Sequence, residues 1–229
     1  MLPVTITLSD HLPPLTIVSL TGLAGSGKDT VADTLVAQKG FTKVAFADAL
    51  RAEVAAAFDI DVAHLTQRET KEHPISTLAL DRCLDPKFVR CMATVFATAG
   101  LSATLLSAPR SPRQIMQWWG TEYRRAQDDD YWVKRLYDTL MHAFTFQFCD
   151  LFVIPDCRFE NEAVFVRRNH GQIWQVVRPG LDPTEGAHVS ATDGSQFLPN
   201  ALLENTHSIA WLQQQAMAAY NHLSMLEVV

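Results

Sequence analysis

The 229 residues are 48% hydrophobic with mean hydropathy near zero, enough to bury a full core and too apolar for a disordered chain. The formal charge of −6 argues against a general nucleic-acid binder, which carries a basic excess or stripe. "MLPVTITLSDHLPPL" has no positive n-region, no stretch approaches the roughly 20 apolar residues of a membrane span, and Cys83, Cys91, Cys149 and Cys157 form no CxxC pair. The expectation is one soluble, cytoplasmic domain over 1–229 with reduced thiols, no disulfide and no structural metal.

"LTIVSLTG" is a short apolar, β-branched run stopped by glycine, and "KDTVADTLVAQKG" after it places Val31, Leu35 and Val36 at helical spacing before Gly40. "FTKVAFAD" reads as a second strand and "ALRAEVAAAFDI" as an alanine-rich helix. The region "VAHLTQRETKEHPISTLALDRCLDPKFVRCMATVFATAGLSATLLSAPR" reads as short helices with a loop that tolerates insertion, since "ATAGLSATLLSAP" has no strong period. Ser111 is an N-cap candidate followed by Pro112, and Ile115, Trp119 and Tyr123 form an apolar stripe opposite Gln114, Gln117, Thr121 and Arg124. A helix near Asp129 or Asp130 follows, with Trp132, Leu136, Leu140, Phe144 and Phe148 at intervals of four. "DLFVIPD" is a buried strand, "RFENEAVFVRRNHG" a helix, "QIWQVVRPG" a strand, "LDPTEGAHVSATDGSQFLPN" a loop, "ALLEN" a last strand and "SIAWLQQQAMAAYNHL" the closing helix. Strands alternating with helices predict an α/β fold, a central parallel sheet covered on both faces.

Gly22, Ala24, Gly25, Ser26, Gly27 and Lys28 have the spacing of a phosphate-binding loop, in which backbone N–H groups converge at a helix N-terminus and the lysine reaches the outer phosphates of a nucleoside triphosphate. The strand before it and helix after it are the context that motif needs. The usual serine or threonine after the lysine is replaced by Asp29, with Thr30 next. Thirteen of the nineteen basic residues are arginine, eight of them between Arg110 and Arg168, and a guanidinium fork suits phosphate; surface ion pairing is the alternative reading for any one of them. There is no NKxD or TKxD to read a guanine base. A hydrolase or switch and a kinase remain as classes, and the arginine-rich second half favours a kinase, because phosphoryl transfer is mostly positioning and charge neutralisation.

"GLAGSGKDTVAD", "FADALR", "RETKEHP", "SPRQIMQWWGTEYRR", "DDDYWVKRL", "VIPDCRFENEA" and "VVRPG" resemble, in that order, the blocks of the bacteriophage deoxynucleoside monophosphate kinases, across nearly the whole chain apart from its first dozen residues and the region around 80 to 108. The resemblance makes Asp29 a family trait. It implies a P-loop NTPase fold with a helical acceptor-binding region at about 48–148 and a lid at about 158–170. It implies ATP and Mg²⁺ as donor and metal, with Asp29, Thr30 and Asp156 as the magnesium candidates and Asn205 near the adenine site; a helix cap is the lesser alternative for Asp156 and an equal one for Asn205. Arg124 and Arg158 would clamp phosphates; Asp48, Arg68, Lys71, Arg113 and Gln117 would surround the acceptor, and Trp132 would stack on its base or sit in the core. His188 resembles a family "H.SE" segment in which Ala191 replaces the glutamate, and reads as a loop residue. The implied reaction is ATP + dNMP giving ADP + dNDP. A modified nucleotide, a 5-hydroxymethyl base in DNA, dephospho-coenzyme A, or a nucleotide-binding regulator that transfers nothing are the other readings, and a homodimer is compatible with the resemblance.

Overall fold

A computed structural model of the protein describes residues 13, 15–67, 70–181 and 197–226. The chain forms two compact units, Met1–Phe46 with Val133–Val229, and Ala47–Trp132.

Among the described residues the first unit is built on a five-stranded parallel sheet: β1 (Thr16–Thr21), β2 (Thr42–Lys43), β3 (Leu151–Ile154), β4 (Gln172–Val177) and β5 (Ala201–Glu204), in the order β2-β3-β1-β4-β5. Alternation along β1 sends Val18 and Leu20 to one face, where they join Val31, Ala32 and Leu35 of α1 (Lys28–Lys39) and Leu212, Ala216 and Leu223 of α8 (Ile209–Leu226) in a core with Trp174 and Val176. Each aliphatic side chain fully buried there contributes about 1.5–3 kcal/mol. The other face is covered by α7 (Glu160–Arg168), whose Val166 lies against Ile17 so closely that a Cβ at Gly171 would sit 2.8 Å from one and 2.9 Å from the other. The α/β fold with a parallel sheet flanked by helices is as expected.

Two local expectations need correcting. The strand in "FTKVAFAD" shrinks to Thr42–Lys43, because the Asp156 carboxylate accepts the Phe46 N–H (3.0 Å) and starts α2 (Phe46–Phe58) there. The stripe of α6 (Tyr131–Gln147) buries Trp132, Leu136 and Leu140, half-buries Phe144, and fails at Phe148, which lies past the helix end at φ +56° and is 89% exposed. The segment expected as a lid forms α7, in which Ala163 and Val166 have no exposed surface and Glu162 folds back to accept the Arg158 and Phe159 N–H groups at its start.

The second unit is helical. Besides most of α2 it holds α3 (Ala63–Thr66), α4 (Pro86–Thr98), α5 (Pro112–Gln117) and a π-helical segment, Trp118–Arg125, continuing from α5. The region around 80 to 108 contains the full-length α4, begun by Asp85, whose Oδ1 accepts from Lys87 and Phe88 (2.8 and 3.2 Å), with Pro86 in the first turn. Phe88 packs on Trp119 and Tyr123 with ring centroids 4.6 and 5.4 Å away. Ser111 caps α5 through the Gln114 N–H (3.2 Å) as expected. The turn that widens at Trp118 departs from the uniform α-helix expected there: the Ala126 N–H bonds Thr121 O (3.1 Å), five residues back. Such segments are rare and recur at functional sites. Among the described residues no helix is long and apolar enough to cross a membrane.

Candidate functional site

In the first unit the loop 22–27 runs from the end of β1 into α1. Gly22 sits at φ +135°, and a Cβ there would lie 2.2 Å from the Val176 carbonyl oxygen. Gly27, at φ +112°, would place a Cβ 2.8 Å from both Asn205 Nδ2 and Leu212 Cδ2. Neither position has room for another residue, so the loop can hold its form only with glycine at both. The Ser26 hydroxyl is buried within it and has no hydrogen-bond partner among the described residues, an orphaned polar atom of the kind a polar ligand satisfies.

Lys28 opens α1 and folds back over the loop, its Nζ donating to Gly22 O and Leu23 O, both at 2.7 Å. Burial, helped by the Arg158 cation, lowers its pKa from 10.5 to about 8, against the opposing pull of Asp29 and Asp156. Those charges lie where the topology predicts: β3 runs beside β1, so Asp156 and Arg158, just past its carboxyl end, meet the loop that leaves the carboxyl end of β1. Asp156 caps α2 through Phe46 rather than the helix that follows it in sequence. Asp29 is 84% exposed and pairs with Lys43 (3.1 Å), which also binds Asp33 (3.0 Å). Thr30 is half-buried in the same turn, and its carbonyl accepts the Thr34 hydroxyl.

The donor set fits magnesium. Asp156, Asp29 and Thr30 offer hard oxygens beside a phosphate-type loop, and no cluster of three or more His, Cys, Asp or Glu among the described residues forms a closed cage. Magnesium takes one or two carboxylates and completes its shell with phosphates and water.

Asn205 neither caps a helix nor stands free: its Nδ2 donates to Ser26 O (2.9 Å) and its N–H to Val177 O (2.7 Å), fastening the phosphate loop to the end of β4. Ser208 takes the cap of α8 through Trp211. At the loop tip, exposed Ala24 and Gly25 lie near Arg178, whose Nη1 is 3.5 Å from Gly25 O.

In the second unit Arg124 is the centre of a dense cluster. Its Nε donates to Glu53 Oε2 (2.8 Å), and its guanidinium lies over three rings, those of Trp119, Tyr123 and Tyr131, with centroids 5.5, 4.6 and 5.0 Å away. Glu53 Oε2 also accepts Trp119 Nε1 (2.9 Å), and Glu53 Oε1 accepts the Tyr131 hydroxyl. Burial alone would lower the arginine's pKa; the hydrogen bond and charge of Glu53 more than offset this and raise it. Behind it the Tyr123 hydroxyl donates to Asp85 Oδ2 (2.8 Å), and burial together with that bond raises the phenol to about 12.

The second unit also holds other residues expected around the acceptor. Arg113 is ion-paired with Glu72, and its N–H bonds Lys71 O (3.1 Å). Asp48 is exposed and pairs with Arg51 (2.8 Å), and Gln117 is half-buried at the end of α5. Trp132 is 4% exposed and donates its Nε1 to Gly120 O (3.1 Å), which makes it scaffold under the π-helical turn rather than a stacking surface. Arg68 and His188 lie outside the described residues. Glu53, Tyr131, Lys43 and Arg178 were not singled out from the sequence, and Tyr123 was read only as part of an apolar stripe; Tyr123, Tyr131 and Arg178 nonetheless lie in the blocks "SPRQIMQWWGTEYRR", "DDDYWVKRL" and "VVRPG".

No known family profile matches the chain. A protein of Acanthamoeba polyphaga mimivirus named "Putative deoxynucleotide monophosphate kinase" is 25% identical over 223 residues, covering 93% of this chain and all of the viral protein. Among solved structures, TT1252 from Thermus thermophilus has a TM-score of 0.47 at 20% identity, covering 93% of this chain and 98% of its own. A dephospho-CoA kinase from Campylobacter jejuni has a TM-score of 0.44 at 11% identity, covering 90% and 96%.

Proposed function

We propose that the protein is a nucleotide kinase, and more narrowly a deoxynucleoside monophosphate kinase that transfers the γ-phosphoryl of ATP to a dNMP. The observation that carries the reading is the convergence of Lys28, Asp156 and Arg158 on a glycine-built loop. The full-length likeness to the viral relative's sequence supports the choice of acceptor.

In this reaction an acceptor phosphate oxygen attacks the γ-phosphorus, the bond from that phosphorus to the bridging oxygen breaks, and ADP leaves. No general base is needed, since a phosphate monoester is largely a dianion near pH 7, with a second pKa of about 6. The loop amides and Lys28 hold the donor phosphates, Arg158 compensates charge on the group in transit, and Arg124 grips the acceptor phosphate. Asp156, Asp29 and Thr30 are the residues that would hold magnesium, directly or through water. When bound there, magnesium would supply charge neutralisation to the donor phosphates. The unit Ala47–Trp132 is the acceptor-binding region in this reading.

The test is ADP release from Mg-ATP against dAMP, dGMP, dCMP, dTMP, dUMP and 5-hydroxymethyl-dCMP, each beside its available ribose counterpart. Turnover that depends on a deoxy monophosphate supports the reading; ATP binding with silence across the panel ends it. Asn205→Ala carries a second expectation. Removing a hydrogen bond worth about 1 kcal/mol from the back of the loop is expected to raise the KM for ATP about fivefold and leave the acceptor KM unchanged.

A further inference from the structure

Arg124 does not stand alone, and the carboxylate that holds it has no partner role in the reaction described above. Glu53 receives three hydrogen bonds from three different side chains: Trp119 Nε1 and Arg124 Nε on one oxygen, the Tyr131 hydroxyl on the other. All four side chains are shielded; those of Arg124 and Glu53 are 22% and 16% exposed. A guanidinium has five N–H donors. Glu53 uses the Nε edge, and Arg124 makes no other hydrogen bond among the described residues, so the four N–H groups of the two terminal nitrogens remain for an anion. The three rings fix the guanidinium plane from its sides. A flexible arginine on a helix surface would lose about 2 kcal/mol of rotamer entropy on gripping a phosphate; here that cost is met in folding.

We infer that Glu53 is a positioning residue for acceptor binding: with Trp119 and Tyr131 as its other anchors, it presets Arg124 so that the paired terminal nitrogens are presented to a phosphate monoester. The inference rests on the kinase reading and gives Arg124 its geometry. An opposite role is chemically open to the same carboxylate, that of a competitor which occupies the arginine and repels the phosphate, and the two roles predict opposite signs.

Glu53→Gln decides between them. Glutamine keeps the volume; its Oε1 can accept the Trp119 and Arg124 bonds while its amide donates to the Tyr131 hydroxyl, so the variant is expected to fold. A preset arginine predicts that the acceptor KM rises about tenfold while the ATP KM is unchanged. In an Arg124→Ala background the same substitution should add nothing, because the carboxylate acts through the arginine. Tyr131→Phe, which removes one anchor only, should raise the acceptor KM about two- to threefold. An acceptor KM that is unchanged or lower in Glu53→Gln, or an equal effect with and without Arg124, overturns the inference while leaving the kinase reading intact. Wild-type protein that transfers nothing to any monophosphate ends both.

Discussion

Lys28→Ala is expected to lower turnover by about 10²–10³-fold or more, the range found when one preorganised charge at a transition state is removed. The lysine's bonds in the free protein go to Gly22 O and Leu23 O of its own loop, so the helix behind it loses no packing and the variant should melt close to the wild type. A variant with unchanged kcat would remove the loop from the chemistry. The same residue sets a pH limit. Burial and the Arg158 cation hold its pKa near 8 in the free protein, whereas a bound triphosphate supplies negative charge that favours the ammonium. The quantity kcat/KM for ATP, which reports the free enzyme, is therefore expected to fall above about pH 8, and kcat at saturating ATP to stay level to higher pH. Stability runs the other way. Below about pH 8 the lysine is charged whether folded or unfolded and its burial costs stability in full; between 8 and 10.5 the folded protein sheds the proton first and the cost fades. A kcat/KM profile for ATP that is flat to pH 10 would falsify the assignment of this lysine to phosphate capture.

The loop was legible in the sequence because its requirements are local. Gly22 and Gly27 are fixed by positive φ and by atoms within 3 Å of any added Cβ, and a strand and a helix must flank them, so spacing alone carries most of the information. The place of Asp156 at a strand end beside the loop was legible for the related reason that a parallel sheet gathers strand ends, although its hydrogen bond to Phe46, 110 residues away, was not. That one contact also explains why the strand at 42 ended early. The helix α4 was read only as part of a stretch of short helices, although Asp85 and Pro86 spell a start signal and the buried Phe88, Met92 and Phe96 recur every four residues; the π-helical turn at Trp118 obeys the same four-residue stripe as an α-helix and leaves no mark in it. Trp132 fitted both a core stripe and a stacking role, and its buried N–H on Gly120 decides for the core.

Arg124→Ala is expected to raise the acceptor KM and lower kcat, for a combined loss of about 10- to 100-fold in kcat/KM for the monophosphate, equivalent to one or two charge-assisted hydrogen bonds of roughly 1.5–3 kcal/mol in total. Lysine is expected to rescue little. Its ammonium restores the charge but has neither the Nε that Glu53 holds nor the planar face that lies over Trp119, Tyr123 and Tyr131. Stability falls as well, because Glu53 keeps its bonds from Trp119 and Tyr131 but loses the cation that neutralises it; with that side chain only partly exposed, about 1–2 kcal/mol is a reasonable scale, below the 3–5 kcal/mol of a fully buried pair. Acceptor KM and melting temperature should therefore move together in Arg124→Ala, while the KM for ATP holds still. An arginine that served only as structural glue would lower the melting temperature and leave the acceptor KM where it was, so steady-state kinetics beside a thermal melt separate a phosphate grip from a structural ion pair.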